Sequence, residues 1–379
     1  MGLPITKVNL VLRTASASRT GFGVPLFQTM SMGTINRVTS YTGTDGVGEV
    51  YATAHPAFLA AKGYMSSPVT VDKFKIGRVL ASLVLTPEDV AEGVVYSFSI
   101  TDGIDTGLCS YTAETGDTEE DVVDDLLLDI ASFTNIATNV TASKVGTGAS
   151  ATLSLVVTGD FAITGISNLS EVYTATEGYE ASLVAIRAED DDFWFFNSDT
   201  RDAVTQNTLA SAIQATSKSY FTASNTAASI AANYTVADTD IGSVLKTNNY
   251  TRSTAVWDED VSTFVECTYV GVNAPYSPDE RSVVWDGREL AGVSVAINSL
   301  GNELTSAQQT ALDSRDMSYV ANTSVGPRIL GGKMASGAWI DDIRTSDTII
   351  ARVQESVDTL VLNQAGGKLP SGPAGLALV

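Results

Sequence analysis

Acidic residues are concentrated in the middle of this 379-residue sequence. Residues 85–180 carry seventeen acidic side chains and one basic side chain, Lys144, which gives a net charge of −16. Residues 1–84 have a net charge of +5, and residues 181–379 have a net charge of −11. Because repulsion between like charges is weakest where water screens it, the middle stretch is expected to face solvent. The pattern predicts an N-terminal arm and first part of a core (1–84), an inserted outward-facing acidic domain (85–180), and a main core with a C-terminal helix and short tail (181–379).

The composition argues against several classes of function. Hydrophobic residues make up 44% of the chain, which is enough to form a substantial core. The net charge of −22 argues against nucleic-acid binding, which needs clustered Lys and Arg. No apolar run reaches the roughly 18 residues that cross a bilayer. The sole histidine, His55, and two distant cysteines, Cys109 and Cys267, indicate neither a multi-histidine metal site nor a disulfide framework.

The acidic stretch has the pattern of a small α+β domain. Residues 94–100 alternate between apolar and polar side chains toward their end, and residues 151–157 are mostly apolar. Both patterns are typical of strands. Between them, Thr118 and Asp121 form a capping-box pattern ahead of apolar residues that repeat at helical spacing. Strands and a helix in one short stretch indicate that it can form a core of its own.

The main core shows alternation of strands and helices. Residues 193–196 predict a short apolar strand, residues 203–218 predict a helix with Val204 facing inward, and residues 219–222 predict the next strand. Such a strand-helix-strand unit favours a partly parallel sheet with helices packed on it. The expected fold class is therefore α+β, or mixed α/β.

Two helices are predicted near the C-terminus. Thr305 and Gln308 form a capping box at the start of the first. The second is expected to begin at about Ser346, with its isoleucines and valines on one broad face.

The first residues of the chain predict a strand. Val8, Leu10 and Leu12 alternate with mostly polar residues, which is the period of a strand. A strand with no local pairing partner must join the edge of a sheet, either its own or that of a neighbouring chain.

The sequence contains almost no recognisable catalytic motif. Nucleotide-binding glycine motifs, a nucleophile elbow and a zinc-protease motif are all absent from the sequence. The run Glu189–Asp192 could bind a divalent cation, but it fits better as the acidic end of a solvated loop. His55 precedes Pro56 at a predicted helix start and is interpreted as structural. We therefore predict no enzyme activity and no catalytic, cofactor or metal site.

Short runs at both ends of the chain resemble a known family. At the C-terminal end they are GVS (292–294), LT (304–305), AL (311–312), GGK (331–333), ASGAWID (335–341), IR (343–344), Asp347, ARVQ (351–354) and Val357. At the N-terminal end they are GFGVP (21–25), AAKGY (60–64) and IGR (76–78). Together they resemble contractile tail sheath proteins of myophages, in which a variable outer domain interrupts a constant core. Such proteins usually continue into a C-terminal arm, which is expected here to be either shortened or cut off.

The resemblance implies a structural subunit of a bacteriophage contractile tail sheath. Copies would assemble as hexameric rings stacked helically around the tail tube and contract to drive the tube through the host envelope. The implied partners are other copies, the tail tube protein, and baseplate and tail terminator proteins, without cofactor, nucleic acid or membrane insertion. The implied location is the virion, after assembly in the host cytoplasm. Val8, Leu10 and Leu12 would link neighbouring subunits, and Arg344 and Arg352 would contact subunits or the tube.

Two other interpretations stay open at this point. Another self-assembling viral or cell-surface structural protein, such as a capsid-decorating or surface-array subunit, would share the acidic, Thr/Ser/Ala-rich composition. An enzyme that uses carboxylates or a metal at Glu189–Asp192 is the second.

Overall fold

A computed structural model describes residues 22–157, 159, 161–278 and 283–363 of the chain. Within these residues the fold is mixed α+β, as predicted, with fifteen strands in three sheets. The predicted strand with Val8, Leu10 and Leu12 lies outside the described residues. None of the described helices is both long and apolar enough to cross a membrane.

The elements, in chain order, have the following bounds. The strands are β1 (Pro25–Met30), β2 (Val38–Tyr41), β3 (Phe74–Val79), β4 (Ala81–Pro87), β5 (Val95–Thr101), β6 (Thr106–Thr112), β7 (Val140–Val145), β8 (Thr152–Val157), β9 (Ala162–Ser167), β10 (Leu169–Ala175), β11 (Phe195–Ser198), β12 (Ser219–Ser224), β13 (Ser253–Trp257), β14 (Ser318–Thr323) and β15 (Gly326–Leu330). The α-helices are α1 (Thr44–Gly48), α2 (Pro56–Tyr64), α3 (Glu119–Ser132), α4 (Tyr179–Glu189), α5 (Ala203–Gln214), α6 (Ala228–Ala231), α7 (Ile241–Thr247), α8 (Val265–Asn273), α9 (Ser306–Asp313) and α10 (Ile340–Asn363).

The largest sheet has eight strands in the order β15-β14-β13-β12-β11-β1-β3-β2. The six inner strands are parallel, and an antiparallel strand lies at each edge. Helices α2 and α8 pack on one face, and α4, α5, α7 and α9 pack on the other. Nearly every residue of β1, β3, β11, β12 and β13 is buried, because both faces of these strands are covered. The first parallel strand, β1, lies between β3 and β11, as in doubly wound α/β sheets.

Residues 81–175 form the other two sheets and leave the core through neighbouring strands. One sheet has the order β10-β4-β8-β7 and the other the order β6-β5-β9. Helix α3 begins with the predicted capping box of Thr118 and Asp121 and buries its apolar side against these strands. The chain enters this inserted region on β4 and returns on β10, and these two strands pair antiparallel.

Several predicted boundaries in the main core were wrong by a few residues. The strand predicted at 193–196 forms at Phe195–Ser198, and α5 ends at Gln214 rather than at residue 218. Val204 is 73% exposed and not inward, because the buried side of α5 is the one that carries Leu209 and Ile213. The long C-terminal helix begins six residues before the predicted Ser346, at Ile340.

Candidate functional site

The carboxyl ends of β1 and β11 mark the place where doubly wound sheets bind their ligands. Asp199 directly follows β11 at this point. Its carboxylate accepts hydrogen bonds from the Tyr179 hydroxyl (2.5 Å), the Thr29 hydroxyl (2.7 Å) and the Met30 amide (3.2 Å). Burial raises the pKa of Asp199, although the bonds from Tyr179 and Thr29 act in the opposite direction. The carboxylate is therefore used inside the fold, where it joins β11 to β1 and α4.

The inserted region lies against the same end of the sheet. The Met32 side chain, just past β1, belongs to the hydrophobic core of the insertion, and its carbonyl accepts a bond from the Ile163 amide at 2.7 Å. Glu177, just past β10, accepts hydrogen bonds from the Arg37 guanidinium and from the Leu80 amide (2.9 Å). Burial alone would raise the pKa of Glu177, but the bond from Arg37 holds it below its ordinary value. These contacts fix the insertion to the core.

Three of the four acids in the run Glu189–Asp192 form ion pairs. Asp190 lies 2.6 Å from the buried Nζ of Lys75, and Asp191 lies 2.8 Å from the Arg187 guanidinium. Further pairs join Asp191 to Lys218 and Asp192 to Lys73. Among the residues that the structure describes, no group of three or more His, Cys, Asp or Glu side chains is placed to hold a metal ion. The run fits the interpretation as an acidic loop end whose charge neighbouring bases balance.

His55 caps the first turn of α2. Its Nδ1 accepts a hydrogen bond from the Ala57 amide at 3.1 Å, and Pro56 follows at the first helical position. The imidazole is 7% exposed and lies between the rings of Tyr51 (4.8 Å between centroids) and Tyr173 (5.4 Å). Burial lowers the pKa of His55 to about 4. These contacts agree with a structural role.

The lowered pKa of His55 predicts a loss of stability in mild acid. Between about pH 6.5 and pH 4 the unfolded chain binds a proton at His55 that the folded chain does not bind, so the free energy of unfolding falls as the pH falls through this window. Protonation of Nδ1 also removes the acceptor of the Ala57 bond. At full effect the loss is about 3 kcal/mol.

Urea denaturation at pH 7 and pH 4.5 measures this loss in the wild type and in His55→Asn. Asparagine is a good N-cap and does not titrate, so the variant is expected to lose about 2 kcal/mol less than the wild type between the two pH values. An equal loss in both proteins would show that His55 does not contribute to the pH dependence.

Arg344, on α10, is buried rather than displayed. Its side chain is 3% exposed and donates hydrogen bonds to the carbonyls of Asn273 (3.1 Å), Ala274 (2.9 Å) and Phe22 (3.0 Å). Its guanidinium also lies over the ring of Phe195. The carbonyls of Asn273 and Ala274 are at the C-terminal end of α8, where the helix dipole favours a positive charge. Arg344 thus joins α10 to α8 and to the segment before β1.

Arg352 lies two turns farther along the same helix and is 40% exposed at its side chain. It pairs with Glu355 at 2.9 Å. Arg344 and Arg352 both line a cavity of about 510 Å³, together with Phe22, Val71 and Thr348. The structure therefore brings the two arginines to one place, and their role at an interface stays a prediction.

Asp347 is a further anchor of α10 that sequence reasoning missed. It accepts hydrogen bonds from both terminal nitrogens of Arg252 (2.6 and 2.8 Å) and from the indole nitrogen of Trp194 (2.9 Å). A buried carboxylate with a bidentate arginine fixes geometry as well as charge. The first two turns of α10 are thereby held on the core.

Three apolar residues farther along α10 are exposed, unlike Ile340 at its start, which is buried in the core. Ile349, Ile350 and Val353 are 59%, 57% and 52% exposed. Three exposed β-branched side chains on adjacent turns form an apolar patch, which in soluble proteins commonly marks a contact with another molecule. Ile349, Ile350 and Val353 belong to the apolar face predicted for this helix, and the described part of the chain does not cover them.

Comparisons with known proteins find similarity among solved structures only. No protein-family model and no curated protein matches the sequence. A sheath tail protein from Desulfitobacterium hafniense is 14% identical, with 96% of this chain and 85% of that chain covered and a TM-score of 0.49. A chain of the contracted anti-feeding prophage baseplate is 10% identical (100% and 81% covered, TM-score 0.48), and one of the 6-fold symmetrised baseplate is 11% identical (98% and 80%, 0.45).

Proposed function

We propose that this chain is a structural subunit of a bacteriophage contractile tail sheath. Copies assemble as hexameric rings stacked helically around the tail tube, and the contraction of this lattice drives the tube through the host envelope. Its partners are other copies, the tube protein, and baseplate and tail terminator proteins. It acts in the virion after assembly in the host cytoplasm, and it catalyses no reaction.

The observation that carries the proposal is the exposed apolar patch of Ile349, Ile350 and Val353 on α10. The patch lies within the C-terminal stretch 292–357, where the resemblance to sheath proteins is more specific than at the N-terminal end. A helix that is anchored at Arg344 and Asp347 and leaves isoleucine and valine in water is suited to bind another protein surface. In the proposal this patch and Arg352 contact a neighbouring subunit or the tube.

The other features fit a subunit that moves as one body. In the proposal the chain consists of three parts, residues 1–84, 85–180 and 181–379, and the acidic middle part lies outermost in the assembly. The bonds of Glu177 to Arg37 and Leu80 tie that part to the core, so a rigid-body rearrangement would carry both together. The strand predicted at Val8, Leu10 and Leu12 links neighbouring subunits by joining their sheets.

Negative-stain electron microscopy of the purified protein tests the proposal. We expect rings or hollow tubes. Ile349→Asp/Val353→Asp places two charges in the patch and is expected to abolish these particles while leaving the monomer folded, because both positions are exposed.

The matched control is Val184→Asp/Val204→Asp, which adds the same charges at positions that are 63% and 73% exposed on α4 and α5. Rings or tubes are expected to persist in this control. Flat sheets or closed shells from the wild type would favour another self-assembling structural protein, and a monomer at high concentration would contradict both interpretations.

A further inference from the structure

One side of the sheet β10-β4-β8-β7 carries only serine, threonine and valine. We call this side the neutral face. Its residues are Ser170, Val172 and Thr174 on β10, Ser82, Val84 and Thr86 on β4, Thr152, Ser154 and Val156 on β8, and Thr141, Ser143 and Val145 on β7.

The strand register defines the neutral face. Leu83 and Leu85 on β4 and Leu153 and Leu155 on β8 are buried against the core of the insertion. Because successive side chains of a strand point to opposite sides, the residues between them point outward. Directly paired residues share a side, and the pairs Val84–Val172, Val84–Ser154 and Ser143–Ser154 extend one outward row across all four strands. All twelve residues are half-buried or exposed.

The charged side chains of the inserted region lie outside the neutral face. Helix α3, packed on the opposite side of this sheet, carries six of its acids. The only base of residues 85–180, Lys144, also points to that side, where it contacts Glu120 (2.7 Å) and Asp124 (2.8 Å) on α3. Ten of the twelve residues lie in the stretch 85–180, whose net charge is −16, and so many neighbouring outward side chains without a charge are an exception that composition does not explain.

We propose that a second copy of this chain docks on the neutral face. Two copies, each with a net charge of −22, repel each other across most surfaces, and the neutral face lets them meet with the acids of α3 directed away. Hydroxyl groups both donate and accept, so rows of serine and threonine can bond to an equivalent surface. A basic partner would bind the acidic helix α3 instead. An acidic partner of another kind would have no feature that favours it over a second copy of this chain.

The size of the neutral face sets the strength of the contact. Stable pairwise interfaces use about 20–30 residues on each side, whereas the neutral face offers twelve. The contact is therefore too small to hold an isolated dimer and becomes effective when many copies are already linked, by effective concentration. The inference therefore rests on the proposed self-assembly, and it identifies one surface through which assembled copies contact each other.

Thiol labelling tests the contact in the full chain. The two native cysteines, Cys109 and Cys267, are buried, so an introduced surface cysteine is the readily accessible thiol. Ser143→Cys lies on the neutral face and Ser132→Cys at the end of α3, and both serines are exposed in the single chain. On assembly, the maleimide labelling rate of Ser143→Cys should fall about tenfold or more, since the rate follows the fraction of open sites. Ser132→Cys should stay within about twofold of its rate in the free chain.

The outcomes separate this inference from the proposed function. Cylinders in which Ser143→Cys labels as fast as in the free chain would overturn the inference alone. Protection of Ser143→Cys within assemblies that are not cylinders would support the inference and contradict the sheath proposal. A chain that stays monomeric at high concentration would contradict both.

Two double variants, each with two added charges, provide a second test through the concentration that assembly requires. Ser143→Asp/Val172→Asp adds two charges at opposite edges of the neutral face, and Leu128→Asp/Ser132→Asp adds two on exposed positions of α3. The first variant should raise the concentration needed for assembly about tenfold relative to the second. Equal concentrations for the two variants would overturn the inference, provided that circular dichroism shows both to be folded.

Discussion

Gly271→Ala is expected to lower the free energy of unfolding by about 3 kcal/mol, against the usual direction of this substitution. In a helix interior, alanine in place of glycine normally stabilises by about 1 kcal/mol. At Gly271 on α8, however, a Cβ atom would lie 2.7 Å from the Gly63 carbonyl oxygen and 2.7 Å from two backbone atoms of Tyr64 on α2. Backbone atoms cannot rotate away as a side chain can, so the two helices must separate and lose packing in the core.

Urea denaturation of the wild type and of Gly271→Ala measures this effect. Gly46→Ala on α1 is the matched control, because its Cβ would meet nothing closer than a Tyr41 ring carbon at 3.5 Å. The control is expected to be neutral or to stabilise by up to about 1 kcal/mol. A Gly271→Ala protein as stable as the wild type would show that α2 and α8 do not approach this closely. Failure of this variant alone to accumulate as soluble protein would agree with the prediction.

Arg344→Met is expected to destabilise the fold by about 1–3 kcal/mol, the usual cost of leaving a buried polar group without its hydrogen bond. Methionine fills a similar volume but donates no hydrogen bond, so the carbonyls of Asn273, Ala274 and Phe22 each lose a buried donor. Arg344→Lys is expected to rescue only part of the loss, because one ammonium group cannot reproduce the planar fork of a guanidinium.

Arg352→Met is the control, since Arg352 is partly exposed and pairs with Glu355 within one helix. It is expected to cost about 0–1 kcal/mol. Chemical denaturation measures both variants, and electron microscopy of the same proteins separates stability from assembly. If Arg344→Met were no less stable than Arg352→Met, the buried position of Arg344 would be wrong. If Arg352→Met stayed folded but did not assemble, the interface role proposed for Arg352 would be supported.

Features that depend on a few neighbouring residues could be predicted from the sequence. The capping boxes at Thr118 and Thr305 are both present, because each needs only residues within one helical turn. The mixed α+β class also follows from local periodicity. The early start of α10 had a usable signal as well, since Asp341 and Asp342 lie in its first turn, where acids favour the helix dipole.

The environment of the candidate site could not be predicted in this way. Arg344 bonds to Phe22, which is 322 positions away in the sequence, and Asp347 bonds to Arg252, 95 positions away. Nothing in the local sequence distinguishes a buried arginine from an exposed one. The same limit applies to Ile349 and Val353, which have the spacing of a buried helix face but are exposed to solvent. Periodicity gives the apolar side of a helix, while tertiary packing decides whether this chain or another covers it.

The paired strands β4 and β10 have a consequence for the evolution of the chain. Residues 81–87 and 169–175 pair in an unbroken register, so the two points where the chain leaves and rejoins the core are neighbours about 5 Å apart. A recombination event could exchange everything between them for a short hairpin turn, or for an unrelated module, without moving the core strands. The geometry therefore allows the inserted region to diversify under its own selection while the α/β core keeps its shape.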